Sequence, residues 1–309
     1  MNVAFVTTSY PAYPDDPSGH FVRAEAEARA LGGDEVTVIT PGHARISAEG
    51  RIRVVRIGCE RAYGWPGAAT RLEANPALLT EAISFVPRAR RAAAAVRPDV
   101  CVAHWALPSA LVVPRACALE IVSHGADVRL LAALPAPLRD AWVERVAARS
   151  TTWQFASDAL YTRLSAAVSP RAALALARKA RVSAPRIEVA RPDEAAVRKL
   201  RARAAGSPLY AVVGRLVRDK RVDHVVRHVH RAQEERAALA VVGDGPERAR
   251  LEAEARALGV RALFVGTVGR SEALSWIAAA DALLFASRAE GLSTVLREAH
   301  ALGVPVVHV

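Results

Sequence analysis

The sequence predicts an α/β protein made of two doubly wound units, each with a parallel sheet covered by helices. Three observations support this fold class. Short apolar runs alternate with helical stretches, the alternation occurs in two blocks, and a charged segment containing proline and glycine separates the blocks. Such alternation is typical of parallel sheets, because a crossover between parallel strands usually contains a helix. At 309 residues the chain is long enough for two domains of ordinary size.

The first block opens with the apolar run Val3 to Thr7, followed by a loop rich in Pro, Asp and Gly and by the helical stretch GHFVRAEAEARAL. Two β-rich runs, EVTVIT and IRVVRI, come next. A helix is predicted from about Ala77 to Val96, and later strands are predicted at DVCVAH, EIVSH and TTWQFAS. Residues 1–190 are therefore predicted to form the first domain.

Residues 191–206 are predicted to be a linker, because they are highly charged and contain Pro192 and Gly206. Residues 207–309 are predicted to form the second domain. Its predicted strands and helices alternate in this order: LYAVVG, Val222–Glu235, ALAVVG, Pro246–Leu258, ALFVG, Ser271–Ala279, ALLFAS, Ser293–Leu302 and PVVHV. Ligands of such sheets bind beyond the carboxyl ends of the strands, so the residues that follow each strand are the candidates for a site.

Composition limits the class of protein. The cysteines Cys59, Cys101 and Cys117 form no C-x-x-C pair, so we interpret them as buried thiols of a reducing compartment. The start of the chain has neither the basic segment nor the long apolar segment of a signal peptide. The sequence also contains no uninterrupted apolar stretch of about 20 residues, which a membrane span would need. These features predict a soluble, cytoplasmic protein without a signal peptide or a membrane span.

Net charge limits the partners. The 42 basic and 31 acidic residues give +11, and most of the basic residues are arginines in alanine-rich helices. A coding bias towards Arg and Ala is the favoured interpretation, followed by peripheral contact with the anionic inner face of a membrane. No nucleic-acid motif accompanies the arginines, so nucleic acid is not expected as a partner.

Two cations follow the first strand of the second block. Arg215 and Lys220 lie in a loop between LYAVVG and a helix, where cations and unpaired helix N–H groups can bind a diphosphate. Gly243 and Gly245, after the next strand, form a G-x-G pair like that of a dinucleotide site. However, Arg248 replaces the third glycine, so a dinucleotide-dependent oxidoreductase is the least supported hypothesis.

Two carboxylates flank the start of the last predicted helix. Glu290 precedes the helix, Ser293 is predicted to cap it, and Glu298 lies within it. The N–H groups of the first turn, up to Val295, would be open to a phosphate, and the two carboxylates could accept hydrogen bonds from hydroxyls on either side. Taken alone, this spacing is better explained by ordinary solvated glutamates.

The whole set of motifs resembles the retaining nucleotide-sugar glycosyltransferases of family 4. In the second block the resemblance lies in VVGRLVRDKRVDHVV, VVGDGPERARLEAEARALGV, FVGTV, AAADALLFAS and EGLSTVLREAHALGVPVV. In the first block it lies in FVTTSYPAYPDDPSGHFVRAEAEARAL, EVTVITP, DVCVAHWALPSAL and IVSHGADVRLL. The resemblance implies the GT-B fold, with two Rossmann-like domains facing a cleft, and a metal-independent hexosyl transfer that needs no cofactor.

For the second domain, the resemblance implies donor-binding roles. Arg215 and Lys220 would bind the donor diphosphate and stabilise negative charge on the leaving group, which makes them catalytic candidates. Glu290, also a catalytic candidate, would hold hydroxyls of the transferred sugar, and Glu298 would hold the ribose. Ser293 and the N–H groups near Thr294 and Val295 would lie at a phosphate.

For the first domain, the resemblance implies contacts with both substrates. Gly19 would let its loop approach the donor closely, as only glycine permits. His124, in SHGAD, would face the reacting sugar or the acceptor and is the catalytic candidate of this domain. His104 and Trp105, together at a predicted strand end, are candidates for contact with the acceptor.

The sequence also departs from the family pattern. Ser18 precedes Gly19 where the family has a double glycine, and Arg221 stands where a glycine often follows the loop lysine. The usual Gly-Val-Asp is absent from IEVARPDEAAV. Family members typically continue beyond the segment that ends here at Val309, so the second domain is expected to be incomplete at its end.

The sequence thus predicts a retaining glycosyltransferase. Its donor would be a nucleoside-diphosphate sugar, and its acceptor an envelope polysaccharide, a lipid-linked sugar or a small molecule. The alternative from another class is a non-catalytic relative, a nucleotide-sugar-binding or scaffold protein. Transfer or hydrolysis of the donor favours the first hypothesis, and nucleotide binding without turnover favours the second.

Overall fold

The fold is described by a computed structural model for residues 1–64, 67–232, 237–287 and 293–309. Contacts divide the chain into two compact units. The first unit contains residues 1–14 and 18–187, and the second contains residues 15–17 and 188–309. Each unit is an α/β domain with a largely parallel sheet, so the predicted fold class is confirmed.

The sheet of the first unit has eight strands in the order β3-β4-β2-β1-β5-β6-β7-β8. The strands are β1 Asn2–Val6, β2 Glu35–Thr40, β3 Gly42–Glu49, β4 Ile52–Gly58, β5 Val100–His104, β6 Ala118–Ser123, β7 Thr152–Phe155 and β8 Ala180–Val182. The pairings are parallel except that between β3 and β4. Central strands such as β1 and β5 are apolar and buried almost throughout, as a parallel sheet covered on both faces requires.

Eight helices belong to the described part of the first unit. They are α1 His20–Leu31, α2 Ala68–Ala74, α3 Leu79–Val96, α4 Ala106–Ser109, α5 Ala126–Ala133, α6 Ala136–Arg149, α7 Asp158–Ala167 and α8 Pro170–Ala177. In α1, Val22, Ala26 and Ala30 recur every four residues and are buried. This spacing places them on one face, which packs against the sheet in the core around Phe5 and Val38.

The second unit has a five-stranded, fully parallel sheet in the order β11-β10-β9-β12-β13. The strands are β9 Leu209–Val213, β10 Ala238–Val242, β11 Arg261–Gly266, β12 Ala282–Phe285 and β13 Val306–His308. The helices are α9 Glu194–Ala202, α10 Val222–Arg231, α11 Arg248–Ala257, α12 Arg270–Ala279 and α13 Thr294–Ala301. All five strands predicted for this domain are present, because each is an apolar run between turn residues.

Some elements differ from the sequence prediction. Strand β3 is largely exposed and pairs antiparallel at the sheet edge, so it lacks the apolar run that marks the buried strands. The predicted linker 191–206 contains α9. The side chain of Asp193 accepts hydrogen bonds from the N–H groups of Ala195 and Ala196 at the start of α9, and Leu200 is buried in the core of the second unit. A capping aspartate and one buried face therefore make a helix of a highly charged segment.

Candidate functional site

In the second unit, the loops after β9 and β12 meet at the carboxyl ends of these neighbouring strands. The side-chain hydroxyl of Ser287 donates a hydrogen bond to the carbonyl of Asp219 at 3.3 Å, which ties the loop after β12 to the 3₁₀ turn Arg218–Lys220. A small cavity at this place is lined by Arg215, Lys220 and Val295 together with backbone and side chains of both loops. The fold thus brings both predicted diphosphate-binding cations to the first turn of α13.

Glycine is required at positions 243 and 245 by packing within the fold. A Cβ on Gly243 would lie 1.9 Å from the carbonyl oxygen of Gly214, and a Cβ on Gly245 would lie 2.4 Å from that of Leu216. The loop after β10 therefore lies directly against the loop that carries Arg215. Arg248, in place of a third glycine, pairs with Asp244 at 2.8 Å. These contacts explain the G-x-G pair without a dinucleotide.

The N-terminus of α13 follows the segment 288–292, and the predicted sugar ligand Glu290 lies outside the described residues. Ser293 occupies the N-cap position with an extended backbone, but its side chain makes no capping hydrogen bond, so the predicted cap is wrong in this respect. Thr294 and Val295 begin the helix. An α-helix leaves its first N–H groups without intrahelical partners, and these remain candidates for a phosphate.

Glu298 is buried within α13 and has an ion-pair partner that the sequence did not reveal. Its Oε1 accepts hydrogen bonds from Arg270 Nη2 at 3.0 Å and Nε at 3.3 Å. Arg270 begins α12 and also donates to the carbonyl of Glu188. This charge-assisted pairing orients the carboxylate of Glu298, and its predicted contact with a ribose remains a hypothesis.

In the first unit, His104 and His124 lie at the carboxyl ends of neighbouring parallel strands and contact each other. His104 ends β5, His124 follows β6, and Nδ1 of His104 lies 2.9 Å from Nε2 of His124. Burial lowers the pKa of His104 well below its usual range and that of His124 to about 3. Both imidazoles are therefore neutral at pH 7, and one hydrogen bond joins them.

His104 has no exposed surface, whereas His124 is partly exposed. The prediction that His104 contacts the acceptor is therefore corrected: β1 and the ring of His124 cover it, and it stacks on Phe5 at a centroid distance of 5.5 Å. Trp105 is also partly exposed and packs against His124 at 4.7 Å, so these two residues are the pair that can meet a ligand.

Asp127 is a buried residue that the sequence reasoning missed. One carboxylate oxygen accepts from the N–H of Ala106 at 2.8 Å, and the other accepts from the N–H groups of His124 and Gly125 at 3.2 and 3.1 Å. It thereby joins the loops that follow β5 and β6. Trp105, with φ 60°, is held in the left-handed region between these anchored segments. An aspartate three residues after the predicted strand EIVSH, where the first turn of a helix can begin, is the signal that could have identified it.

Gly19 precedes α1 with φ 63°, and a Cβ there would lie 2.3 Å from the carbonyl oxygen of Ser9. Glycine is therefore required by the packing of this loop within its own unit. Approach to a donor, the predicted reason for glycine, remains a hypothesis.

Two general findings concern the described part of the chain. Within it, no group of three or more His, Cys, Asp and Glu side chains is arranged to hold a metal ion. The helices found there are all too short or too polar to cross a membrane.

Comparison with known proteins adds family evidence for the second unit. Residues 193–309 match the family described as Glycosyl transferases group 1. Over 326 aligned residues, the chain is 25% identical to the putative teichuronic acid biosynthesis glycosyltransferase TuaC of Bacillus subtilis (strain 168). This alignment covers 99% of the chain and 80% of that relative.

Solved structures show the same fold. Sucrose-phosphate synthase from Thermosynechococcus elongatus aligns with a TM-score of 0.75 at 19% identity, over 100% of this chain and 81% of that one. HepE from Anabaena, in complex with UDP-glucose, aligns with a TM-score of 0.67 at 16% identity, over 100% of this chain and 80% of that one. The predicted GT-B fold is thereby confirmed for the whole chain.

Proposed function

We propose that this protein is a retaining glycosyltransferase of family 4, which transfers a hexose from a nucleoside-diphosphate sugar to a growing envelope polysaccharide or glycoconjugate. The observation that carries the proposal is the cavity of the second unit, where Arg215 and Lys220 meet the N-terminus of α13. Two cations beside helix N–H groups that have no intrahelical partner form an anion site of the kind that a diphosphate needs. The match of residues 193–309 to the group 1 glycosyltransferases supports the same ligand.

The chemistry follows from this charge. When the bond between the anomeric carbon and the diphosphate breaks, negative charge grows on the leaving group. Cations held there in advance stabilise that charge without reorganisation, which is the largest electrostatic contribution that a protein can make. The acceptor hydroxyl would attack the anomeric carbon from the face that the diphosphate leaves and pass its proton to the departing diphosphate, so the configuration is retained. In this scheme Arg215 and Lys220 stabilise the negative charge on the leaving group, and no metal ion is needed. We therefore expect EDTA, which removes divalent metal ions, to leave the rate of transfer unchanged.

Relatives supply the substrate classes of the proposal. HepE was solved with UDP-glucose, which supports a nucleoside-diphosphate sugar as donor. The name of the Bacillus subtilis relative, which refers to teichuronic acid biosynthesis, supports an envelope polysaccharide as acceptor. An acceptor at an envelope would bring the protein to an anionic membrane surface, and the net charge of +11 favours that contact.

A thermal-shift panel of UDP, GDP, ADP and dTDP, each with and without its sugar, tests the donor site. A ligand at one hundred times its dissociation constant stabilises a protein by about 2.7 kcal/mol, which a melting curve resolves. The nucleotide that binds is then used in a transfer assay with wild-type protein and Glu290→Gln. We expect Glu290→Gln to abolish transfer and to keep affinity for the bare nucleotide. Binding without transfer or donor hydrolysis by the wild type would instead support the non-catalytic alternative.

A further inference from the structure

Three polar side chains form a chain that leads from α1 to the partly exposed His124. Glu25 lies on α1, and its Oε2 is 3.7 Å from Nε2 of His104. Nδ1 of His104 is 2.9 Å from Nε2 of His124. The two imidazole rings are nearly coplanar, with an interplanar angle of 6°, so an N–H of one ring can point along the lone pair of the other.

The middle member, His104, has no accessible surface, and its Nε2 makes no hydrogen bond to any residue that the structure describes. A buried polar atom without a partner costs free energy, so its presence needs a reason. The separation from Glu25 exceeds a hydrogen bond but is within the range of an ion pair. The carboxylate therefore acts on the imidazole through its charge.

This charge selects one arrangement of protons. A negative carboxylate beside Nε2 of His104 favours the tautomer whose N–H dipole points towards it, with the proton on Nε2. Nδ1 of His104 is then an acceptor, and His124 must donate to it from its own Nε2. Nδ1 of His124 is left with a lone pair.

We propose that Glu25 and His104 are positioning residues that hold His124 with its proton on Nε2, so that Nδ1 of His124 accepts a hydrogen bond from a sugar hydroxyl. The identity of the ligand rests on the proposed function, but the tautomer does not. Aromatic contacts support the arrangement, because Phe21 and Trp105 both pack at 4.7 Å from the His124 ring and limit its rotation.

The charge state of Glu25 makes the arrangement depend on pH. Burial raises the pKa of Glu25 to about 7; the charge of Arg29 lowers it and that of Glu120 raises it. Above pH 8, Glu25 is a carboxylate. Below about pH 6 it is protonated and presents an O–H towards Nε2 of His104, which favours the opposite tautomers of both histidines. Neither imidazole takes up a proton in this range, because burial lowers the pKa of both.

Long-range ¹H–¹⁵N spectra of the full chain test the proposal, since they distinguish protonated from bare ring nitrogens. The signals of His124 are assigned by their loss in His124→Gln. Glu25→Met removes the charge at similar length. Glu27→Met is the matched control, because Glu27 lies on the same helix and forms a partly exposed ion pair with Arg23 at 2.9 Å. We expect wild type and Glu27→Met to have a bare Nδ1 on His124 above pH 8 and to shift towards the other tautomer below pH 6.

In Glu25→Met, the tautomers of His124 should not respond to pH over this range, and kcat should fall while affinity for the bare nucleotide is kept. A proton on Nδ1 of wild-type His124 above pH 8, or no response of its tautomer in the wild type between pH 8 and 6, would overturn the proposal. The wild-type titration decides the question even if Glu25→Met does not fold. An inactive wild-type chain with the expected spectra would reject the proposed function and leave the positioning role intact.

Discussion

The candidate groups of the two units differ in charge and in how the chain assembles them. In the second unit, Arg215 and Lys220 are permanent cations in one loop, five positions apart. In the first unit, His104 and Asp127 are buried and His124 is partly exposed. These groups follow two different strands, and both imidazoles are neutral at pH 7. A charged site can be built from one loop because cations act over a distance. A site of hydrogen-bonding groups from different loops needs short contacts, which only folding supplies.

The largest expected effect tests whether the site of the second unit depends on charge. The single substitutions Arg215→Ala and Lys220→Ala should each weaken binding of the preferred nucleoside diphosphate at least tenfold. Each charge-assisted hydrogen bond contributes about 1.5–3 kcal/mol, so the double variant should lose roughly a hundredfold or more. Isothermal titration calorimetry measures both losses.

Arg218→Ala is the matched control, because Arg218 lies in the same 3₁₀ turn but its side chain is 91% exposed. It should bind the nucleotide as the wild type does. If the double variant bound the nucleoside diphosphate as tightly as the control does, the charges of Arg215 and Lys220 would not determine binding. The second unit would then not differ from the first in its dependence on charge.

A second effect tests whether the first unit depends on contacts. Asp127→Asn keeps the shape but turns one acceptor into a donor that faces backbone N–H groups. We expect a loss of about 1.5–3 kcal/mol in the free energy of unfolding, measured by urea denaturation, from the lost charge-assisted bonds. Asp158→Asn, at an exposed position in the first turn of α7, should have little effect. A similar loss in both variants would contradict the role of Asp127 in joining the two loops.

A third effect concerns pH. The pKa of His124 is about 3 in the fold against an ordinary value of 6.5, so the unfolded chain takes up the proton first. Stability is therefore lost as the pH falls from 6.5 to 3. Glu25 has the opposite sign: its pKa of about 7 lies above the ordinary 4.5, so it adds stability as the pH falls from 7 to 4.5. The steepest loss should thus lie between pH 4.5 and 3.

His124→Gln removes one titrating imidazole. The slope of the unfolding free energy against pH should therefore fall by at most about 1.4 kcal/mol per pH unit. Urea denaturation at several pH values between 6.5 and 3 measures the slope. An unchanged slope would show that His124 is not held neutral by the fold.

The smallest effect sharpens the description of the cationic loop. Arg221, directly after Lys220, has φ 50° and ψ 41°, where a side chain costs roughly 1–2 kcal/mol. Arg221→Gly should remove this cost, offset by about 0.5–1 kcal/mol of chain entropy, for a net gain of at most about 1.5 kcal/mol. Arg218→Gly, in a right-handed turn, should instead be destabilising. A thermal melt in which both variants lose stability would contradict strain at Arg221.

The alternation of buried strands and helices, including all five strands of the second unit, could be predicted from apolar runs and turn residues, whereas the exposed strand β3 and helix α9 could not. The same is true of the loop with Arg215 and Lys220 and of the helix start near Thr294. These features depend on residues that are close in the chain, and their physical basis is local: the burial of a strand, the start of a helix, the charge of a loop.

The tertiary structure alone decided the rest. Arg270 pairs with Glu298 across 28 positions, and Glu25 meets His104 across 79. The tertiary structure also buries His104, and it packs backbone atoms so closely against Gly19 and Gly243 that only glycine fits at these two positions. Parallel crossovers bring distant segments to the same sheet edge, and no local pattern records which side chains meet there. The sequence by itself therefore determined the fold class and the cationic loop, whereas the partners and protonation of the buried groups depend on long-range contacts and desolvation, which exist only in the folded chain.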